Sequence, residues 1–294
     1  MSTAVNGLPD AHDGAPTDHP DGDSDRSRVA VVTGASAGIG RAIAVALGAI
    51  GWQVAVGARR ADELAETARL IEDTGGRAFA HALDVCDPAS IDAFLAAVER
   101  ALGPVDVLVN NAGVAAPGLL HEMSDARHEQ ILRTNLLGPM LLTKRVVAAL
   151  RRRGTPGDVV FVSSDATVHP RPYLGTYGVS KTGLEAFATA LALECEDYPI
   201  RSSVVRVGPT ITGFADGWDT EMFADIIPRW QRFGIQRHFN TMELADVARA
   251  VVSIVTAPPH VWARIVEVQP LPPAREPAAQ QPPADPPASA SAPT

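Results

Sequence analysis

The chain has 294 residues, 46% of them hydrophobic and 20% charged, enough to bury one large core or two small ones. Its formal charge of −9 sits mostly at the ends: six aspartates without Lys or Arg in residues 1–25, and a net −1 in residues 270–294, leave about −2 for residues 26–269. That balance gives no electrostatic footprint for nucleic acid or an anionic membrane, and no apolar run reaches the ~18 residues of a membrane span. Cys86 and Cys195 lie far apart and in no metal-type spacing, so the expectation is a reduced, cytoplasmic protein with no metal site.

Residues 1–27, made of Gly, Pro, Asp and Ser with almost nothing to bury, read as a disordered acidic arm in which His12 and His19 are solvated. Order begins with the β-branched run at residues 28–33, of the kind buried in a parallel sheet. It runs into Thr33-Gly-Ala-Ser-Ala-Gly-Ile-Gly40 and then a helical pattern over residues 41–50. Gly34 permits the sharp turn, Gly38 lets backbone approach a pyrophosphate, and Gly40 lets the helix pack on the strand. Ser36 and Ile39 belong to the same loop, which puts phosphate charge at a helix N-terminus. A second strand at residues 53–57 follows about twenty residues later and completes the context this motif needs. It ends in Ala58-Arg59-Arg60, where a dinucleotide binder that uses the unphosphorylated ribose usually carries an acid. A guanidinium grips a 2′-phosphate and an acid repels it, so Arg59 and Arg60 point to NADP(H). The alternative, that both simply begin the next helix, stays open because Ala37 withholds a second basic residue from the loop.

A helix over residues 61–74 leads to a third strand at residues 77–83, ended by Asp84-Val85. Asp84 at a carboxyl strand end either bonds an adenine amino group or caps the helix at residues 88–102. The fourth strand, residues 105–109, delivers Asn110-Asn111-Ala112-Gly113, small enough to let backbone lie against a cofactor. A helix over residues 126–152 follows, then a buried strand at residues 158–163 that ends in Ser164, a small donor and acceptor able to hold a carbonyl oxygen. Asp165 beside it reads as a turn residue, and His169, Arg171 and Tyr173 lie in the loop beyond, where substrate would pass.

The helix over residues 176–196 carries Tyr177 and Lys181 four apart, hence on one face. A free Tyr titrates near ~10, and a fixed ammonium favours phenolate; lowering it by about three units requires roughly 4 kcal/mol. The expectation is a phenol made acidic by its lysine. A sixth strand at residues 201–207 enters Gly208-Pro-Thr210-Ile-Thr212. Residues 210–241 read as a substrate lid rich in apolar side chains, among them Phe214, Trp218, Met222, Phe223, Ile226, Ile227, Trp230 and Phe233, although a packed amphipathic helix pair gives the same spacing. A helix at residues 242–256 and a strand at residues 261–268 finish the sheet, and residues 270–294 form a Pro/Ala-rich tail expected to be disordered.

In this order, T-G-x-x-x-G-x-G, N-N-A-G, serine and Y-x-x-x-K resemble the short-chain dehydrogenase/reductase family over about residues 28–268. The resemblance implies an α/β fold: a doubly wound parallel sheet of Rossmann type with helices on both faces, in one domain over residues 28–269. It implies that Asn135, Ser164, Tyr177 and Lys181 form the catalytic set. Ser164 would polarise the substrate oxygen, Tyr177 serve as acid/base, Lys181 also hold the nicotinamide ribose, and Asn135 anchor a water. Pro139 fits that last role, since it offers no N–H to the Asn135 carbonyl four residues back and leaves it free as an acceptor. Thr210 and Thr212 fall where the nicotinamide amide and phosphates are held, although Val207-Gly208 replaces the family's usual Pro-Gly at this point. The reading is an NADPH-dependent reductase of a bulky apolar carbonyl compound, working as a homodimer or homotetramer. Its rivals are an NAD-dependent alcohol dehydrogenase on the same scaffold and a non-catalytic dinucleotide sensor.

Overall fold

The strands form because short β-branched runs can be buried on both faces only inside a parallel sheet covered by helices. β1 (Val29–Thr33), VAVVT, is buried at every position. Its side chains alternate: Val29 and Val31 enter one apolar cluster, Ala30 and Val32 the other. The computed structural model describes residues 27–213, 218 and 220–273, so the arm over residues 1–26, Phe214 and residues 274–294 lie outside the described residues.

Seven strands, β1, β2 (Gln53–Ala58), β3 (Arg77–Ala82), β4 (Val107–Asn110), β5 (Gly157–Ser164), β6 (Ile200–Val207) and β7 (Ile265–Val268), lie in the order β3-β2-β1-β4-β5-β6-β7. Every pairing is parallel. The order reverses between β1 and β4, which opens a crevice at their carboxyl ends. α1 (Gly38–Ala49), α2 (Ala61–Asp73) and α8 (Leu244–Val255) cover one face through Ile43, Leu47, Leu64, Ile71, Val247 and Val251. α3 (Pro88–Leu102), α5 (Gly138–Arg153) and α6 (Gly175–Glu194) cover the other through Ile91, Phe94, Leu142, Leu150, Leu184 and Leu191. Phe94 and Phe161 are fully buried, each contributing about 1.5–3 kcal/mol by leaving water.

The doubly wound parallel sheet expected from the sequence is what forms, with three departures. The single helix expected over residues 126–152 is broken: α4 (Asp125–Leu132) passes through a π-helical turn at Arg133–Leu137 before α5 begins. Pro139 cannot donate to the Asn135 carbonyl, and the ladder widens so that Gly138 N–H reaches back five residues to the Arg133 carbonyl. The helix cap is Asp87, which accepts from Ala89 N–H, and not Asp84. The last strand starts at Ile265 rather than four residues earlier.

The crevice is stitched by side chains. Asn111 Nδ2 donates to the Thr33 carbonyl at 2.9 Å, and Thr33 Oγ1 accepts from the N–H groups of Asn111 and Ala112, both at 3.0 Å, binding the end of β4 to the glycine loop. A Cβ on Gly40 would sit 2.5 Å from the Gly34 carbonyl oxygen and against Asn111 Nδ2, so α1 can approach only without a side chain there. Gly40→Ala should therefore cost about 1–3 kcal/mol by overpacking, measured by denaturant unfolding, and weaken dinucleotide binding with it. The same change at Gly38 meets no heavy atom within 4 Å and strains only its φ of +56°, so it should cost about 1 kcal/mol.

Candidate active site

Above the crevice, the loop that joins β1 to α1 is ready for an anion. Ala37, the residue before α1, gives no side-chain cap, and the first turn holds no acid. Gly38 faces open space. Anion-binding N–H groups and an uncapped helix dipole suit a pyrophosphate. Beside the loop, Arg60 Nη2 donates to Ser36 Oγ at 2.9 Å while Nη1 pairs with Glu63 at 3.3 Å; Arg59 is exposed. Two braces have no signal in the glycine motif itself. Arg41 donates to the Ser36 carbonyl at 2.5 Å and to Thr67 Oγ1 at 3.0 Å, and the fully buried Thr67 donates to the Ala35 carbonyl at 2.9 Å. The donors, the open glycine and the guanidinium fit a phosphorylated dinucleotide.

Further along the edge, Asp84 Oδ1 accepts from Cys86 N–H at 2.9 Å, which shapes the turn after β3. Val85, beside Asp84 at the end of the third strand and so read as lying against the cofactor, is buried in the core with its carbonyl close to Gly138. Gly113 lies where a Cβ would be 3.5 Å from Asn135 Oδ1 and 3.6 Å from Lys181 Nζ, so the N-N-A-G segment meets the helices carrying both residues. Asn135 is fully buried in the π turn. Its Oδ1 accepts from Val114 N–H and its Nδ2 donates to the Val114 carbonyl, both at 2.8 Å, with Ser180 Oγ at 3.1 Å.

Ser164 ends β5, and Tyr177, on the first turn of α6, brings its phenol near enough for the Ser164 hydroxyl to favour the phenolate. Ser164 Oγ also accepts from Ala166 N–H at 3.2 Å and donates toward Asp165 Oδ1 at 3.3 Å. Asp165 is more than the turn residue expected: it is buried and grips Arg171 through two bonds of 2.7 Å, with Arg171 lying 5.5 Å from the Trp230 ring centre. His169 is exposed.

The lysine departs from expectation. Lys181 Nζ donates to the Val162 carbonyl at 2.8 Å and lies 6.0 Å from the centre of the Tyr177 ring. Burial pushes the Tyr177 phenol up to about 12, although the Ser164 hydroxyl and Arg171 pull it down and Asp165 pushes it further up. Burial likewise pulls the Lys181 ammonium down to about 8, opposed by Glu185. In this structure the phenol is thus held protonated, because its removal from water outweighs what Ser164 and Arg171 contribute to the phenolate.

Thr210 forms an isolated bridge with Met242, its hydroxyl bonded to the Gly208 carbonyl at 3.0 Å, and the Gln269 side chain lies over Gly208. α7 (Thr220–Arg232) lies over the serine-to-tyrosine loop. Ile226 and Trp230 join Ala166, Tyr173, Leu174 and Tyr177 in a third buried cluster, flanked by Trp218, Met222 and Ile227. Trp230 Nε1 donates to the Pro172 carbonyl at 3.0 Å, and the Tyr173 hydroxyl bonds Asp225. Phe233, expected among the inward side chains, is 64% exposed because it follows the end of α7. Among the described residues no helix is long and apolar enough to cross a membrane.

A short chain dehydrogenase profile matches residues 28–222. The chain belongs to that family. It is similar to 2,3-dihydro-2,3-dihydroxybenzoate dehydrogenase of Bacillus subtilis strain 168, 36% identical over 233 residues that cover 78% of this chain and 89% of that protein. Among solved structures, an alcohol dehydrogenase from the archaeon Thermococcus sibiricus complexed with 5-hydroxy-NADP is 30% identical with a TM-score of 0.72, covering 85% of this chain and all of that one. A single-substitution variant of actinorhodin polyketide ketoreductase with NADPH is 31% identical with a TM-score of 0.73, covering 83% of this chain and 96% of that one. The chain is accordingly a short-chain oxidoreductase.

The buried lysine has a measurable signature. With its pKa lowered from 10.5 to about 8, Lys181 is less ready to hold a proton when folded, so between those values the unfolded chain binds more protons and stability rises with pH. Below about pH 8 the full penalty, roughly 3 kcal/mol, is present, offset in Lys181→Met by about 1–3 kcal/mol for the orphaned Val162 carbonyl. Calorimetry of the cofactor-free variant should show a higher Tm than wild type at pH 7, with the difference shrinking toward pH 10.

Proposed function

We propose that this protein is an NADPH-dependent reductase of bulky, apolar carbonyl compounds, with Tyr177 as proton donor. The observation that carries the reading is the meeting of Ser164, at the end of β5, with Tyr177 on α6 at the carboxyl edge of the sheet, the edge that also carries the glycine loop. When bound, the nicotinamide dinucleotide phosphate supplies the hydride. Ser164 Oγ receives the substrate oxygen and fixes it beside the phenol. Tyr177, protonated across the neutral range, gives its proton to that oxygen as negative charge develops there. Lys181, fixed by the Val162 carbonyl, has further N–H donors beside Gly113 that would hold a ribose hydroxyl of the dinucleotide. Asn135 holds the loop after β4 in place through Val114, and its backbone carbonyl, to which Pro139 cannot donate, would accept a water that refills the phenol's proton.

NADP over NAD is supported by Arg59 and Arg60, by the absence of an acid at the end of β2, and by the NADP ligands of the two similar structures. An apolar substrate is supported by the lid cluster, where Trp218, Met222 and Ile227 surround the approach to Tyr177. Exposed Leu137, Met140, Val179 and Leu193 on the helices and π turn of the outer face support assembly with further copies of the chain.

Tyr177→Phe should lower carbonyl reduction by about 10²- to 10⁴-fold in a steady-state assay with NADPH, while fluorescence titration finds NADPH affinity unchanged within about twofold. Retained turnover, or a wild-type protein that oxidises NADPH with no member of a panel of bulky ketones and enones, would count against the reading. Replacing Arg59 and Arg60 together by Asp should lower the preference for NADPH over NADH by at least about tenfold, from the lost 2′-phosphate contacts.

A further inference from the structure

Four residues beyond Lys181 on α6, Glu185 makes a set of bonds that the proposed chemistry does not use. Its Oε1 accepts from Ser163 Oγ at 2.7 Å and lies 3.0 Å from Thr167 Oγ1, which is also 2.9 Å from the Ser164 carbonyl. Arg206 on β6 closes a fork on the same carboxylate, with Nε at 3.1 Å and Nη2 at 2.7 Å, and its Nη1 reaches Glu267 on β7 at 3.0 Å. Ser163, Arg206 and Glu267 are register partners on three adjacent strands, so the row is fixed by the sheet itself. Glu185 and Arg206 are only 12% and 14% exposed.

Two links thus fasten α6 to the segment that carries Ser164. Lys181 holds it at the Val162 carbonyl, two residues before the serine; Glu185 holds it at the side chains one before and three after. The helix that bears the phenol is therefore locked in place against the strand end that bears the serine hydroxyl. We infer that Glu185 is a positioning residue for the active site: it sets the placement of Tyr177 against Ser164, and one turn along the same face of α6 it puts a negative charge beside the buried Lys181. The inference rests on the acid/base reading of Tyr177 for its kinetic part alone.

The charges around the site are few. Glu185 is on α6 itself, Asp165 and Arg171 belong to the turn and loop after β5, Arg206 comes from β6 and Glu267 from β7. Asp165 and Arg171 act on Tyr177, whereas Glu185 is the charge that acts on Lys181. Glu185 stays ionised: burial would raise its pKa, but Arg206, Ser163 and Thr167 together hold it below the usual value.

The sequence makes the test direct, because the chain contains only two lysines, Lys181 and the exposed Lys144. Lysine labelled with ¹³C at Cε gives two resonances, one of them an internal control. In Glu185→Gln the Lys181 midpoint should fall by about one unit while Lys144 does not move. The kcat for carbonyl reduction should drop about ten- to a hundredfold with NADPH affinity unchanged, from a misplaced serine. Because Glu185→Gln leaves Arg206 buried without its partner, Glu185→Gln/Arg206→Met provides the folded control. It should regain thermal stability yet keep the lowered Lys181 midpoint and the low kcat. A Lys181 midpoint equal to wild type in both variants, or wild-type kcat in the double variant, overturns the inference. If the wild-type protein reduces no carbonyl, the proposed function fails, and the lysine titration still decides the role of Glu185.

Discussion

A lysine with almost no access to water has to be fastened to something, and Lys181 is fastened to the backbone of β5. Much of the active-site edge follows from that constraint. The bond to the Val162 carbonyl fixes the rotation of α6, and that rotation turns Tyr177 toward the strand end that bears Ser164. It also leaves Glu185 facing the sheet, where a lone carboxylate would be expensive to bury and where Arg206, Ser163 and Thr167 satisfy it. One buried cation thereby organises a polar seam between a helix and three strands.

The seam sits at one side of the crevice; the glycine loop sits at the other. They are joined by the segment after β4, which Asn111 and Thr33 tie to β1 and which Asn135 ties to the π turn. These are short bonds between backbone and side chain, and they hold the crevice walls without filling the space in front of Gly38. Preorganised walls of this kind let binding energy align reactants rather than order the protein. Over the other end, α7 contributes an apolar cover through Ile226 and Trp230, attached to the serine-to-tyrosine loop by Trp230 and Asp225.

What could be read from the chain were features with a period or a fixed spacing. The β-branched runs gave the strands to within a few residues, since burial on both faces leaves an unbroken apolar signature. The glycine loop, Asn135, Ser164, Tyr177 and Lys181 were legible as motifs, and they converge because parallel strands bring their carboxyl ends to one edge. The break at residues 133–137 was half legible: Pro139 announced a fault in the helix, but a kink and a widened turn look the same in sequence. Asp165 looked like a turn residue because its partner, Arg171, is identified only when the loop closes.

The sequence alone determined the doubly wound sheet, the glycine loop at its carboxyl edge and which motif residues meet beside it, because each depends on local pattern. Only the tertiary structure decided the acidity of those residues. Tyr177 and Lys181 share a helix face in any helical reading, yet their pKa values follow from burial and, for Tyr177, from Ser164, Asp165 and Arg171, which a helix in isolation does not possess. The same holds for Glu185: four residues from Lys181 it reads as one more helical acid, and it acquires a role only when β5 and β6 bring Ser163 and Arg206 beneath it.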